Sequence, residues 1–309
     1  MQKFTRILYA TACAGDDRPA MRQAVSLARN NGAHLQALVV RPQLPESLSQ
    51  HGSGYDAYLK SRTAAALAEV AHELTCGGLQ VTVEIVTSDE PAKLIIQHML
   101  RGHFELLIKE ADSTESGQGF EPVDMALLKY CPGAVWLSRP IAHHRENIRV
   151  AVAVDAEASA EPALQLTLRL LQLSRSLADQ CDGELRIVSC WEYELEGFLR
   201  RNSWISLPAE DVSSSVLRAG DLHLAKLGDL VQKAGISGRQ NVHHARGRAG
   251  ELIPHFCTEH KIDILVMGTV ARTGIPGFLF GNTAENIVRK LNCSLLALKP
   301  EGFVSPVEI

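Results

Sequence analysis

Aromatic residues are scarce in this chain, at 5% of 309 residues. Any core must therefore be filled by Leu, Ile, Val and Ala, and the apolar types together reach 46%. An excess of positive charge is also missing: 31 Lys and Arg stand against 35 Asp and Glu, a formal charge of -4. Proteins that live on nucleic-acid backbones carry basic surfaces, so a direct nucleic-acid partner is disfavoured. The seven cysteines (13, 76, 131, 181, 190, 257 and 293) contain no C-x-x-C pair. An odd, scattered set reads as reduced thiols packed as small hydrophobes. No segment stays apolar for the roughly 18 residues a membrane span needs, and the opening MQKFTRILYATACAG has no signal-peptide core. The expectation is a cytoplasmic protein with no membrane partner. The Walker A pattern, the G-x-S-x-G elbow and H-E-x-x-H are all absent, which points to a binding protein rather than an enzyme.

What is present is a repeat. Arg149-Val-Ala-Val-Ala lies 143 positions beyond Arg6-Ile-Leu-Tyr-Ala, and Asp263-Ile-Leu-Val lies 158 beyond Glu105-Leu-Leu-Ile. The stretch from Leu127 resembles that from Ile287, with Cys131 matched to Cys293 at 162. The order is the same in both halves, so one unit has been duplicated. Within each unit short apolar runs alternate with helical patterns: Arg6–Thr11, His34–Val40, Val81–Val86, Leu106–Lys109 and Ala134–Leu137 are strands in the first. Arg149–Val154, Glu184–Cys190, Gln240–His244, Ile264–Met267 and Ser294–Leu298 are strands in the second. Helices are expected between them, including Tyr58–Leu74, Val216–Lys233, Gly250–His260 and Thr283–Leu291. The alternation predicts an α/β fold of two tandem, doubly wound, Rossmann-like parallel-sheet domains with five strands each. The polar join at Pro140–Asn147 divides the chain into 1–142 and 143–309.

The richest chemistry lies in Ile262–Pro300. A strand ending at Met267-Gly268 is followed by a glycine-rich loop and a helix from Thr283. Glycines let the backbone approach an anion, and the free N–H groups of a first helical turn point at it. The loop reads Gly268, two residues, Ala271, nine residues (Arg272–Phe280), Gly281, Asn282. This spacing resembles the nucleotide loop of the universal stress protein family, and the whole chain resembles that family's tandem form. The family pattern has Gly where Ala271 stands and Ser or Thr where Asn282 stands. The resemblance implies ATP or a related nucleotide as ligand, with no metal beyond nucleotide-associated magnesium. It implies binding by Val154, Asp155, Gly247, Met267, Gly268, Ala271, Arg272, Gly281, Asn282 and Thr283. It also implies that Ala134–Leu137 and Leu295–Leu298 meet across a pseudo-twofold axis as an intramolecular pseudo-dimer, with a homodimer through other faces left open. The role it implies is in stress tolerance.

Each feature has a plainer reading beside it. The loop glycines can serve tight turns alone, with Asn282 and Glu285 forming a capping box. Asp155 can cap the turn that follows it. The first half has Ala12 at the position of Asp155, and its loop Lys109–Phe120 carries Glu110, Asp112 and Glu115, which repel phosphate. That half reads as structural, or as a site for something uncharged. His255, Cys257 and His260 fall short of the four ligands of a zinc site, as do the pairs His143-His144 and His243-His244. Trp191–Pro208 is a long excursion that reads as a lid or as a surface loop. Two rival functions remain: a carrier of a phosphorylated or lipid-linked metabolite using that excursion, and a slow ATPase.

Overall fold

Every apolar run named above becomes a strand. The computed structural model describes residues 4–12, 17–75, 78–112, 114–141, 143–181, 183–201, 208–270 and 280–308. The strands are β1 (Arg6–Thr11), β2 (His34–Arg41), β3 (Val81–Thr87), β4 (Leu106–Glu110) and β5 (Ala134–Ser138) in the first half. Those of the second are β6 (Arg149–Ala153), β7 (Glu184–Trp191), β8 (Gln240–Arg246), β9 (Ile264–Gly268) and β10 (Ser294–Leu298). The helices are α1 (Arg18–Asn31), α2 (Gly52–Glu73), α3 (Pro91–Arg101), α4 (Pro122–Tyr130) and α5 (Glu161–Gln180). They continue with α6 (Glu194–Arg201), α7 (Ala209–Lys233), α8 (Ala249–Glu259) and α9 (Asn282–Val288).

All ten strands form one sheet in the order β3-β2-β1-β4-β5-β10-β9-β6-β7-β8. Pairing is parallel within each half and antiparallel only at the centre, where Leu295 faces Leu137, Leu296 faces Trp136 and Ala297 faces Val135. The expected pseudo-dimer is therefore one continuous sheet. Central strands are buried on both faces, so β5 (AVWLS) and β10 (SLLAL) are buried throughout and apolar but for one terminal serine each. The outermost strands β3 and β8 carry partly exposed, more polar residues, as strands with one unpaired edge do. One face packs against α1, α2, α5 and α7 through residues such as Val25, Leu67, Leu171 and Leu227. The other packs against α3, α4, α8 and α9 through Ile96, Leu128, Phe256 and Ile287. Both apolar layers run without a break from one half to the other.

Local signals explain most boundaries. Helix α1 opens with Pro19 in its first turn and closes on Gly32 at φ +64°. There the Gly32 N–H donates to Arg29 O and the Ala33 N–H to Ala28 O, a Schellman ending. Two helices are longer than their patterns suggest. Helix α2 begins at Gly52, six residues before Tyr58, and α7 begins at Ala209 behind Pro208, with Glu210 and Asp211 in its first turn. Acidic residues favour a helix N-terminus where apolar periodicity gives no signal. The match of Cys131 to Cys293 is corrected. Ala134 N donates to Glu105 O as Ser294 N donates to Asp263 O, and Met125 N donates to Glu121 O as Glu285 N does to Gly281 O. The spacing is thus 160 through this region, and Gly133 is the counterpart of Cys293.

Candidate functional site

Strand order reverses beside β6: the chain runs outward through β7 and β8, then returns to place β9 on the other side. Ligands on such sheets sit at the carboxyl ends of strands at this switch. Asp155 lies just past β6 and Gly268 ends β9, the two strands that flank it, and Val152 pairs with Val266 just below. Val154 is buried, and its N–H donates to Val188 O at 2.9 Å. Its carbonyl accepts the Ser189 hydroxyl at 2.8 Å. Gly247 ends β8 at φ +133°, a conformation that suits glycine, and donates to Trp191 O at 2.8 Å. Met267 is buried. A Cβ at Gly268 would come within 3.0 Å of the Leu166 Cδ2.

The ends of the glycine loop are held. Val270 and Phe280 form an antiparallel bridge. Gly281 N–H donates to Thr269 O at 3.0 Å, and Thr269 N–H donates to Leu298 O at 3.2 Å. Ala271 and Arg272, like the rest of 271–279, lie outside the described residues. The capping-box reading is corrected: Gly281 is the N-cap of α9, no side chain caps it, and Asn282 and Thr283 are the first helical residues. Glu285 instead pairs with Arg289 at 2.7 Å and faces Lys129 at 3.7 Å. Asp155 does take the turn role, its Oδ1 accepting the Glu157 N–H at 2.9 Å.

The first half shows what a filled site looks like. With the spacing of 158 to 160 set by the backbone bonds above, Lys109 stands where the second half has Met267. Glu110 stands for Gly268, and Asp124 for Ala284. Lys109 Nζ lies 3.0 Å from Asp124 Oδ1 and 2.8 Å from Asp112 Oδ1. Asp124 is fully buried, and its Oδ2 accepts the Asp112 N–H at 2.9 Å. Burial pulls the Lys109 amine down, but Asp124 and Asp112 outweigh it and leave the amine above its ordinary value. Burial pushes the Asp124 carboxyl up further than Lys109 pulls it down. The two shifts favour opposite protonation states of the pair, and the close contacts of one amine with two carboxylates decide for the charged form. The Glu110 carboxylate accepts the Ala20 N–H at the start of α1. The corresponding region of the first half is thus occupied by the protein's own charges.

The rest of the first-half loop is turned into a clamp. The Arg139 guanidinium donates to Gly117 O and Gly119 O and lies over the Phe120 ring at 5.0 Å. The Gly119 N–H crosses to Leu291 O of the second half at 2.8 Å.

Sequence reasoning missed the partners of Trp191. Its ring stacks on His244 at 5.5 Å and lies under the Arg246 guanidinium at 5.8 Å. His244 Nε2 lies 3.0 Å from His223 Nδ1 on α7. The signal was the period of two along β8, which puts His244 and Arg246 on one face and His243 on the other. The Trp191–Pro208 excursion contains α6, tied to the end of β8 by Glu196 and Arg246. Residues 202–207 lie outside the described residues. His255 is exposed beside Glu259, and His243 packs against Phe256 and His260. Among the described residues no three His, Cys, Asp or Glu side chains gather as a metal site requires, and no helix is long and apolar enough to cross a membrane.

A duplicated, doubly wound α/β chain with a glycine loop beside its switch point defines the class. Residues 147–299 match the model of the universal stress protein family. Universal stress protein E of Escherichia coli K12 is 30% identical over 305 residues, covering 95% of this chain and 93% of its own. The chain belongs to the universal stress protein family. Universal stress protein E of Photorhabdus laumondii is 28% identical across 100% of this chain and 99% of its own. The fold is that of a universal stress protein from Pseudomonas aeruginosa UCBPP-PA14, with a TM-score of 0.71 at 22% identity over 96% and 94% of the two chains. A universal stress protein from Archaeoglobus fulgidus DSM 4304 gives 0.63 at 14% identity over 96% and 97%.

Proposed function

We propose that this chain is a tandem stress-response protein that binds ATP or a related phosphorylated ligand in its second half, and that it acts by binding rather than by turnover. The observation that carries this reading is the contrast between the halves. Where the first half has Lys109, Glu110 and Asp124, the second has Met267, Gly268 and Ala284, beside a nine-residue loop pinned by the Val270–Phe280 bridge. Arg272 would supply charge to the phosphates, Asp155 would accept from the base or ribose, and the α9 N-terminus would face the anion. Magnesium would enter only with the nucleotide.

Calorimetric titration of the full chain with a non-hydrolysable ATP analogue should find one site per chain. Arg272→Gln should weaken it about tenfold. Ala271→Gly should tighten it about tenfold, because it removes a methyl group where backbone and phosphate meet. Two sites per chain, or no response to either substitution, would sink the nucleotide reading. A carrier role is the second reading, favoured by Leu195 and Phe198 of α6, both exposed beside the strand ends. Mass spectrometry of what the denatured protein releases separates the two.

A further inference from the structure

The seam between the halves contains a cavity of about 330 Å³. Its walls come from the starts of β4 and β5 (Glu105, Ala134), from α5 (Arg169) and from Lys299 to Phe303 after β10. Two cations share this wall with the carboxylates of Glu105 and Glu301, and neither cation makes an ion pair among the described residues. Arg169 makes no hydrogen bond or ion pair among the described residues, and its Nε is buried without a partner. Glu301 and Glu105, on the same wall, attract the guanidinium through space without forming an ion pair. Lys299 is buried, donates to the backbone carbonyl of Cys131 at 2.5 Å and lies over the Phe303 ring at 4.6 Å. Burial, unopposed by any carboxylate contact, pulls its amine down to about 8. The corresponding cation of the first half, Arg139, donates to two loop carbonyls, although its Nε too is buried without a partner.

Desolvated cations without an ion pair are costly, and an anion placed between them reduces the cost. We propose that this seam cavity binds a small doubly charged oxyanion of phosphate size, held by Arg169 and Lys299. The guanidinium fork suits two oxygens of a tetrahedral anion, and the ammonium supplies a point charge. Leu298, next to Lys299, holds Thr269 at the root of the glycine loop, so an occupied cavity would stiffen the frame of the other site.

The test is calorimetry of the full chain with inorganic phosphate, against sodium chloride at matched ionic strength. Phosphate should bind, and Arg169→Gln should weaken it about tenfold or more. Asn282→Asp, which places a negative charge at the glycine loop, should leave it intact. The reverse pattern, with binding lost in Asn282→Asp and kept in Arg169→Gln, would assign the phosphate to the loop and overturn the proposal. A response to phosphate no different from that to chloride would also overturn it. Should Arg169→Gln fail to fold, Lys299→Met carries the same comparison, with the same loss expected.

Discussion

Lys109 and Asp124 are a buried charged pair in the first half at the positions that Met267 and Ala284 hold in the second. Removing one partner of such a pair leaves an uncompensated charge. Lys109→Met should therefore cost about 3 kcal/mol or more in urea denaturation. Adding Asp124→Ala gives the first half the second half's own residues and should recover most of that loss. No recovery would mean that the pair is needed for more than neutralising itself. The His223–His244 contact sets a pH dependence. Burial, then the charge of His244, lowers His223 from its ordinary 6.5; burial also lowers His244, against an upward pull from Asp221. A base whose folded pKa is depressed binds fewer protons in the native state. Stability is therefore full above about 6.5 and falls as pH drops below it. His223→Gln should reduce the fall in urea midpoint between about pH 7.5 and 5.5. An unchanged fall would clear the pair of responsibility.

At the scale of elements, the first-half loop has a structural role. Gly119 has φ +74°, and a Cβ there would come within 2.6 Å of Arg289 O. Gly119→Ala should therefore loosen the clamp onto α9 and cost about 1–3 kcal/mol, read as a lowered urea midpoint. A neutral result would show that the clamp adds nothing. The strands were legible because buried β5, β9 and β10 are short, largely apolar runs, and the family resemblance implied that β5 meets β10. The start of α7 and the helix α6 were not: α6 is only 8 residues long, too short for its apolar spacing to stand out, and α7 opens on charged and serine residues. At the candidate site, the glycine spacing and the acidic replacement in the first half could be read from sequence. The cap of α9 could not, because Asn282 has a capping residue's chemistry but sits one position inside the helix. Nor could the Trp191 stack, which depends on which face of β8 a histidine takes.

At the scale of the whole molecule, two uninterrupted apolar layers make the halves one cooperative unit. Trp136 reports on the central seam and is fully buried, whereas Trp191 stacks near the far edge. A variant with Trp191→Phe and Trp204→Phe leaves Trp136 as the only indole. Its urea midpoint by fluorescence should coincide with that by far-UV circular dichroism. Separate transitions would show that the halves unfold one after the other.

The antiparallel contact of β5 with β10 has one more consequence. Two separate chains that meet through an edge strand come apart on dilution, and either can exchange for another copy. Here both partners are covalently joined, so the pairing does not depend on cellular concentration and every molecule contains one of each half. Mutations that would ruin a self-associating subunit can then accumulate on one side alone. That freedom from mass action is what allows the two halves to carry different residues at corresponding positions.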